Sequence, residues 1–257
     1  MLLSRRLLCS LVLALAPLAA LAQTDTPIIA AASDLKFAAT EIAAAFTAET
    51  GMEVTLVFGS TGNFATQIRE GAPFQMFMAA DETYVAELAA EGLTRDAGAL
   101  YAEGRIVMIV PKGSDMLADG SLESLRAALA AGGVTHFAIA NPDHAPYGLR
   151  AREALQHAGL WEALGPKLVL GENVSQAAQF ATSGDAQGGI IAYSLALAPE
   201  VSALGDYALI PAAWHSPLQQ RMVLLKSAGP VAEAFYAYMN SDPARAIMER
   251  YGFALPQ

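Results

Sequence analysis

From Pro27 to the carboxyl end, short apolar runs alternate with segments whose apolar residues recur every three or four positions. Strands separated by helices cannot pair through tight hairpins. Each returns through a crossover, and the outcome is an α/β fold of mostly parallel sheets flanked by helices. The pattern predicts strands over 27–32, 53–58 and 75–80, each followed by a helix, over 34–49, 61–70 and 82–91. On the first helix Leu35, Ala38, Ile42, Ala45 and Phe46 share one face. A long strand from Gly104 to Pro111 then leaves this unit. Strands 136–140, 167–170 and 188–193 follow, with helices over 147–158, 160–164 and 174–183. A second long strand, Gln219 to Lys226, returns, and helices over 228–240 and 243–251 close the chain. This order predicts two lobes joined by two crossing strands: residues 23–103 with 216–257 form lobe I, and residues 104–215 form lobe II.

The first 22 residues stand apart from this pattern. Arg5 and Arg6 precede an apolar stretch, Leu7 to Leu18, that is too short for a permanent anchor, and Ala20-Leu21-Ala22 offers a small-x-small cleavage site. Residues 1–22 therefore read as a signal peptide, which predicts export to the periplasm. The single cysteine, Cys9, falls inside this segment, so the mature chain is expected to carry neither thiol nor disulfide. No later stretch approaches the ~20 apolar residues of a membrane span. Without Arg5 and Arg6 the chain keeps 13 basic against 25 acidic residues, a formal charge of −12. Nucleic acid, which needs clustered Lys and Arg, is excluded as a partner. An anion would have to be held by local donors, since the overall field repels it.

Such donors are legible at four strand-to-helix turns. Ser33 follows the run Pro27 to Ala32, and Ser60 follows Val54 to Gly59. A third turn is Asn141-Pro142-Asp143-His144-Ala145-Pro146-Tyr147-Gly148, and a fourth is Gly171-Glu172-Asn173-Val174, with Asn173 as a natural helix cap. The N–H groups that open a helix have no partner within it and suit an anion. Any one of these residues is more often a simple cap. Two turns in each lobe of an exported protein point instead to a shared cleft at the strand ends. Gly59 and Gly62 let the backbone come close there.

Enzyme readings find less support. Phe58 occupies the place where a G-x-S-x-G nucleophile elbow around Ser60 needs glycine. Neither a Walker A nor a G-x-G-x-x-G sequence occurs. His136, His144, His157 and His215 lack metal-ligand spacing and read as surface or capping residues. Met76 and Met78 read as core, and Asp34, Asp81 and Glu82 as first-turn helix acids.

Taken in order, Ala31-Ala32-Ser33-Asp34-Leu35, Gly59-Ser60-Thr61-Gly62, Gly71-Ala72-Pro73, Ala79-Ala80-Asp81, Asn141-Pro142 and Ala145-Pro146-Tyr147-Gly148 resemble the periplasmic molybdate-binding proteins of ATP-binding-cassette importers. The resemblance spans nearly the whole mature chain. It implies a two-lobed periplasmic binding protein fold of type II, molybdate or tungstate as ligand, no cofactor and no catalytic residue. It also implies a monomer that delivers its ligand to a membrane permease with a cytoplasmic ATPase. Carried over by position, Ser33 and Ser60 match serines whose hydroxyls and N–H groups hold the oxyanion, and Tyr147 and Val174 fall where backbone N–H groups contribute. The molybdenum is then held through its oxygens, with no direct metal-cation ligand. The family often adds a tyrosine from the strand at Gly189 to Tyr193; here the register places Ala192, not Tyr193, at that position. Gln75 stands where the family commonly has an aspartate. Three other readings stay open: a receptor of the same fold for sulfate, phosphate or a ferric-anion complex, with Asp34 the nearest acceptor for a protonated phosphate; a small secreted hydrolase using Ser60; and a soluble interaction or sensor domain.

Overall fold

The computed structural model describes residues 26–256; the signal peptide expected over 1–22, Cys9 within it and the cleavage site lie outside the described residues. The chain builds two five-stranded sheets. The first opens with β1 (Ile28–Ala32), a 3-10 turn over Ser33–Leu35 and α1 (Lys36–Thr50). Then come β2 (Thr55–Gly59), α2 (Thr61–Arg69), β3 (Phe74–Ala79), α3 (Glu82–Ala90) and β4 (Ala99–Gly104). The second sheet takes β5 (Ile106–Pro111), and α4 (Glu123–Ala130), β6 (Phe137–Ala140), α5 (Pro146–His157), α6 (Trp161–Leu164) and β7 (Leu168–Gly171) follow. After α7 (Val174–Thr182) come β8 (Gly189–Ala192), α8 (Tyr193–Leu197), α9 (Pro199–Ser202) and β9 (Gly205–Leu209). The chain then returns as β10 (Leu218–Leu224) to the first sheet and ends with α10 (Pro230–Tyr238) and α11 (Asp242–Arg250).

The two sheets repeat one plan. Their orders are β2-β1-β3-β10-β4 and β7-β6-β8-β5-β9. In the first, β2, β1 and β3 are parallel, β10 runs antiparallel to both β3 and β4, and four strands of five therefore point one way. The second has the same pattern, with β5 as the reversed strand. The expected α/β class of mostly parallel sheets is what the chain forms. The long strand expected over 104–111 differs in detail: β4 ends at Gly104 and β5 begins at Ile106, so the passage between sheets is Arg105 alone. The strand expected over 219–226 lies wholly in the first sheet, and the return passage is the stretch 210–217. Also unforeseen were β4, α4, α8, α9 and β9; α8 and α9 span only five and four residues, too few for a helical repeat to show.

Apolar alternation on the first sheet feeds two cores. Ile29, Ala31, Met76 and Met78 pack with α1, α10 and α11, while Ala30, Phe77 and Ala79 pack with α2 and α3. The second sheet is buried between α5 and α7 with Ile106 to Val110, Phe137 to Ala140 and Ile190 to Ala192. Gln75, where an aspartate was the familial expectation, accepts a hydrogen bond from the Gly229 N–H at 2.8 Å and so fixes the entry to α10. Among the described residues no helix is long and apolar enough to cross a membrane.

Close approach of α5 to β6 depends on Gly148. A Cβ there would lie 2.2 Å from the Ala140 carbonyl oxygen and 2.7 Å from its carbon. Backbone cannot yield as a side chain can, so Gly148→Ala should destabilise the protein by about 1–3 kcal/mol despite alanine's better helix propensity. At Gly165, where a Cβ would meet nothing within 4 Å and φ is −40, alanine should be neutral or stabilising by up to about 1 kcal/mol. Urea unfolding of the two variants checks the contrast; equal effects would show that the approach at Gly148 is not tight.

Candidate functional site

Four turns meet where the sheets face each other. Ser33, Ser60, Tyr147 and Val174 all line one cavity, together with Asp34, Thr61 and small residues such as Gly59 and Ala80. About 180 Å³ of space lies between its lining atoms, part of it open to solvent, and about 10 Å³ of it admits the centre of a water-sized sphere. The occupant it suits is a small ion or molecule.

Each turn is held by local chemistry. Ser60 caps α2, its Oγ accepting from the Asn63 N–H at 3.3 Å, and Asn173 caps α7, its Oδ1 accepting from the Gln176 N–H at 3.1 Å. Pro146 occupies the first turn of α5, where its missing N–H costs nothing, and Tyr147 follows it. Ser33 is not a cap; no side chain caps the turn it opens. Its Oγ accepts instead from the Ser175 N–H at 3.3 Å, and its carbonyl accepts from the Ser175 hydroxyl at 2.7 Å. Tyr147 and Val174 present first-turn N–H groups, which the helices themselves leave unpaired.

Tyr193 is placed elsewhere. β8 stops at Ala192 and Tyr193 opens α8, its N–H donating to the Arg105 carbonyl at 2.9 Å. The chain turns there, and the ring is carried toward Tyr207, at 6.0 Å between centroids, and toward Gly252 behind α11. Ala192 is buried in the sheet opposite Ile106. Neither Tyr193 nor Ala192 lines the cavity.

Several polar residues at the site read from sequence as caps, first-turn acids or surface groups, with Asp34 considered for binding only as an acceptor for protonated phosphate. Asp34, expected as a first-turn helix acid, is 1% exposed. Its Oδ2 accepts from the Tyr147 hydroxyl at 3.0 Å and from Gln220 Nε2 at 2.7 Å. The Tyr101 hydroxyl donates to Gln220 Oε1 at 2.8 Å, and the Ser194 hydroxyl donates to the Asp34 carbonyl at 2.8 Å. Gln220 could have been suspected: it alternates with Leu218 and Met222 at the inward positions of β10, and it is fully buried. His144, read as a surface or capping histidine, places Nδ1 2.8 Å from Ser60 Oγ. Arg150, 7% exposed, spans the lobes to Asp81 at 2.8 Å and also meets Glu153 at 3.0 Å. Its charge is thereby spent on carboxylates, and the cavity is lined by neutral donors plus the Asp34 carboxyl. Among the described residues no group of histidines, cysteines and acids could hold a metal cation.

Burial pushes the Asp34 carboxyl up from 3.8 to about 6, against the opposing pull of its Gln220 and Tyr147 hydrogen bonds. The folded chain thus keeps a proton between about pH 4 and 6 that the unfolded chain has released, and stability falls as pH rises through that window. Asp34→Asn retains an acceptor for Tyr147 and Gln220 without the buried charge. It should be more stable than the parent at pH 7.5 by about 1–3 kcal/mol, with the gain vanishing at pH 4. Chemical denaturation of the ligand-free proteins at both pH values measures this, and a variant equally destabilised at both would refute it.

A family model described as bacterial extracellular solute-binding protein matches residues 28–254. The molybdate-binding protein ModA of Rhodobacter capsulatus is 36% identical over 229 residues, covering 88% of this chain and 87% of the relative. ModA of Azotobacter vinelandii is 34% identical, covering 93% of each. The solved structure of the Azotobacter vinelandii periplasmic molybdate-binding protein superposes with a TM-score of 0.81 at 30% identity, over 90% of this chain and all of that one. With both lobes, all four turns and the cavity inside these matched spans, the chain belongs to the bacterial extracellular solute-binding protein family.

Proposed function

We propose that this protein captures a tetrahedral oxyanion, molybdate or tungstate, in the cavity between the lobes and delivers it to the membrane permease of an ATP-binding-cassette importer. One observation carries the reading: Ser33, Ser60, Tyr147 and Val174, from four separate turns, line a single small cavity. The Ser33 and Ser60 hydroxyls and the first-turn N–H groups at Tyr147 and Val174 are assigned as donors. Charge-assisted hydrogen bonds of this kind contribute about 1.5–3 kcal/mol each, so a handful offsets dehydration of a dianion. The relatives named as molybdate-binding proteins support the choice of ion. Action as a monomer in the periplasm, with residues 23–103 and 216–257 as one lobe and 104–215 as the other, belongs to the same reading.

A fully deprotonated oxyanion needs donors and no acceptor. Hydrogen phosphate would need one; Asp34 Oδ2 is taken by Tyr147 and Gln220, which leaves the buried, unpartnered Asp34 Oδ1 as the single carboxylate acceptor at the cavity. Sulfate, being smaller, would leave lengthened bonds in a shell built for a larger ion. Calorimetry with molybdate, tungstate, sulfate and phosphate decides among them: tight binding of the first two supports the assignment, and sub-micromolar sulfate binding without molybdate overturns it. Ser33→Ala and Ser60→Ala should each weaken binding by about 1–3 kcal/mol while the fold persists. The hydrolase reading has one contact in its favour, the 2.8 Å approach of Ser60 Oγ to His144 Nδ1. Ester turnover that disappears in Ser60→Ala would establish catalysis in place of capture.

A further inference from the structure

Ser60 offers a single hydroxyl proton, and three neighbours decide where it goes. The Asn63 N–H fills one lone pair of Oγ at 3.3 Å. The other two come from His144, across the cleft on the turn before α5. Its carbonyl oxygen lies 3.2 Å from Ser60 Oγ and its ring Nδ1 2.8 Å. That same carbonyl accepts from the Gly62 N–H at 2.9 Å, an approach open only to glycine because a Cβ there would stand 2.7 Å from the oxygen. His144 is thus clamped onto the start of α2 at three points. On its far side, ring Nε2 lies 3.7 Å from Glu172 Oε2, on the turn that precedes α7. One residue therefore touches the Ser60 turn in one lobe and the Val174 turn in the other.

We propose that His144 is a positioning residue for anion capture, its Nδ1–H donating to Ser60 Oγ so that the Ser60 proton is free to point at the ligand. This rests on the oxyanion reading of the cavity. A hydroxyl has one donor and two acceptor sites. When Nδ1 carries hydrogen, it and the Asn63 N–H fill both acceptor sites, and the proton is left for the ligand or, without one, for the His144 carbonyl at 3.2 Å. A bare Nδ1 at 2.8 Å takes that proton itself, in preference to the carbonyl at 3.2 Å, and Ser60 then turns lone pairs toward an anion. The Glu172 carboxylate stands 3.7 Å from Nε2, beyond hydrogen-bond distance, and places negative charge on that side of the ring.

Nitrogen-15 NMR of histidine-labelled protein saturated with sodium molybdate tests this without any substitution. The expected result is a protonated Nδ1 at His144 in the complex; a bare Nδ1 overturns the proposal. A double-mutant cycle read by calorimetry gives the energetic test. His144→Leu should weaken molybdate binding about tenfold in the parent and have almost no effect in Ser60→Ala. His144→Asn, whose amide can present an N–H near the Nδ1 position, should recover most of the affinity. Equal effects of His144→Leu in both backgrounds overturn the proposal while leaving oxyanion capture intact. If the parent binds none of molybdate, tungstate and sulfate, the oxyanion reading fails and this inference fails with it.

Discussion

Both halves of the molecule donate hydrogen bonds to one buried carboxylate, and the arrangement of the cavity follows from that. Removing a carboxylate from water is costly unless donors replace the lost hydration. Asp34 receives Tyr147 from one lobe and Gln220 from the other. Tyr101 fixes which way the Gln220 amide faces, because its hydroxyl donates to the Gln220 carbonyl oxygen and so turns the NH₂ toward Asp34. The Tyr147 ring thereby ties the first turn of α5 to the turn that carries Ser33. Two of the four donor turns are registered against each other through a group that itself offers an anion no hydrogen.

The class of fold and the four turns were legible because they depend on local rules. Apolar alternation, a serine or asparagine before a helix and a proline at a helix start all act within a few residues of their own position. The residues that join the lobes were not legible. Gln220 and Tyr101 are far in sequence from Asp34, and His144 is far from Ser60, and nothing in a linear pattern marks which polar groups will share a buried volume. His144 shows the difficulty plainly. A lone histidine in a proline-containing turn reads as surface, and only folding brings it against α2. Tyr193 shows the reverse: a tyrosine near the expected position is removed from the cavity because its strand ends one residue earlier.

Charge is distributed so that cations near the cleft are consumed before they reach it. Arg150 is held by Asp81 and Glu153, and Arg221 by Glu82. In a chain carrying a formal charge of −10, a free arginine in the cavity would attract any anion without regard to shape. Fixed dipoles at helix starts act only over short distances and only along their own directions. The site therefore exchanges long-range attraction for discrimination by geometry.

The shared strand order of the two sheets has a consequence for the cavity. β1 and β6 hold the same place in their sheets, as do β2 and β7. The turn bearing Ser33 is then the counterpart of the one bearing Tyr147, and the turn bearing Ser60 the counterpart of the one bearing Val174. The four residues proposed as donors lie as two equivalent pairs, one on each side of the cleft. A tetrahedral ion has two opposite edges set crosswise, each an oxygen pair, so each lobe can grip one edge. Planar anions such as nitrate or carbonate have no second edge out of plane to offer, and half of the donors would close on nothing.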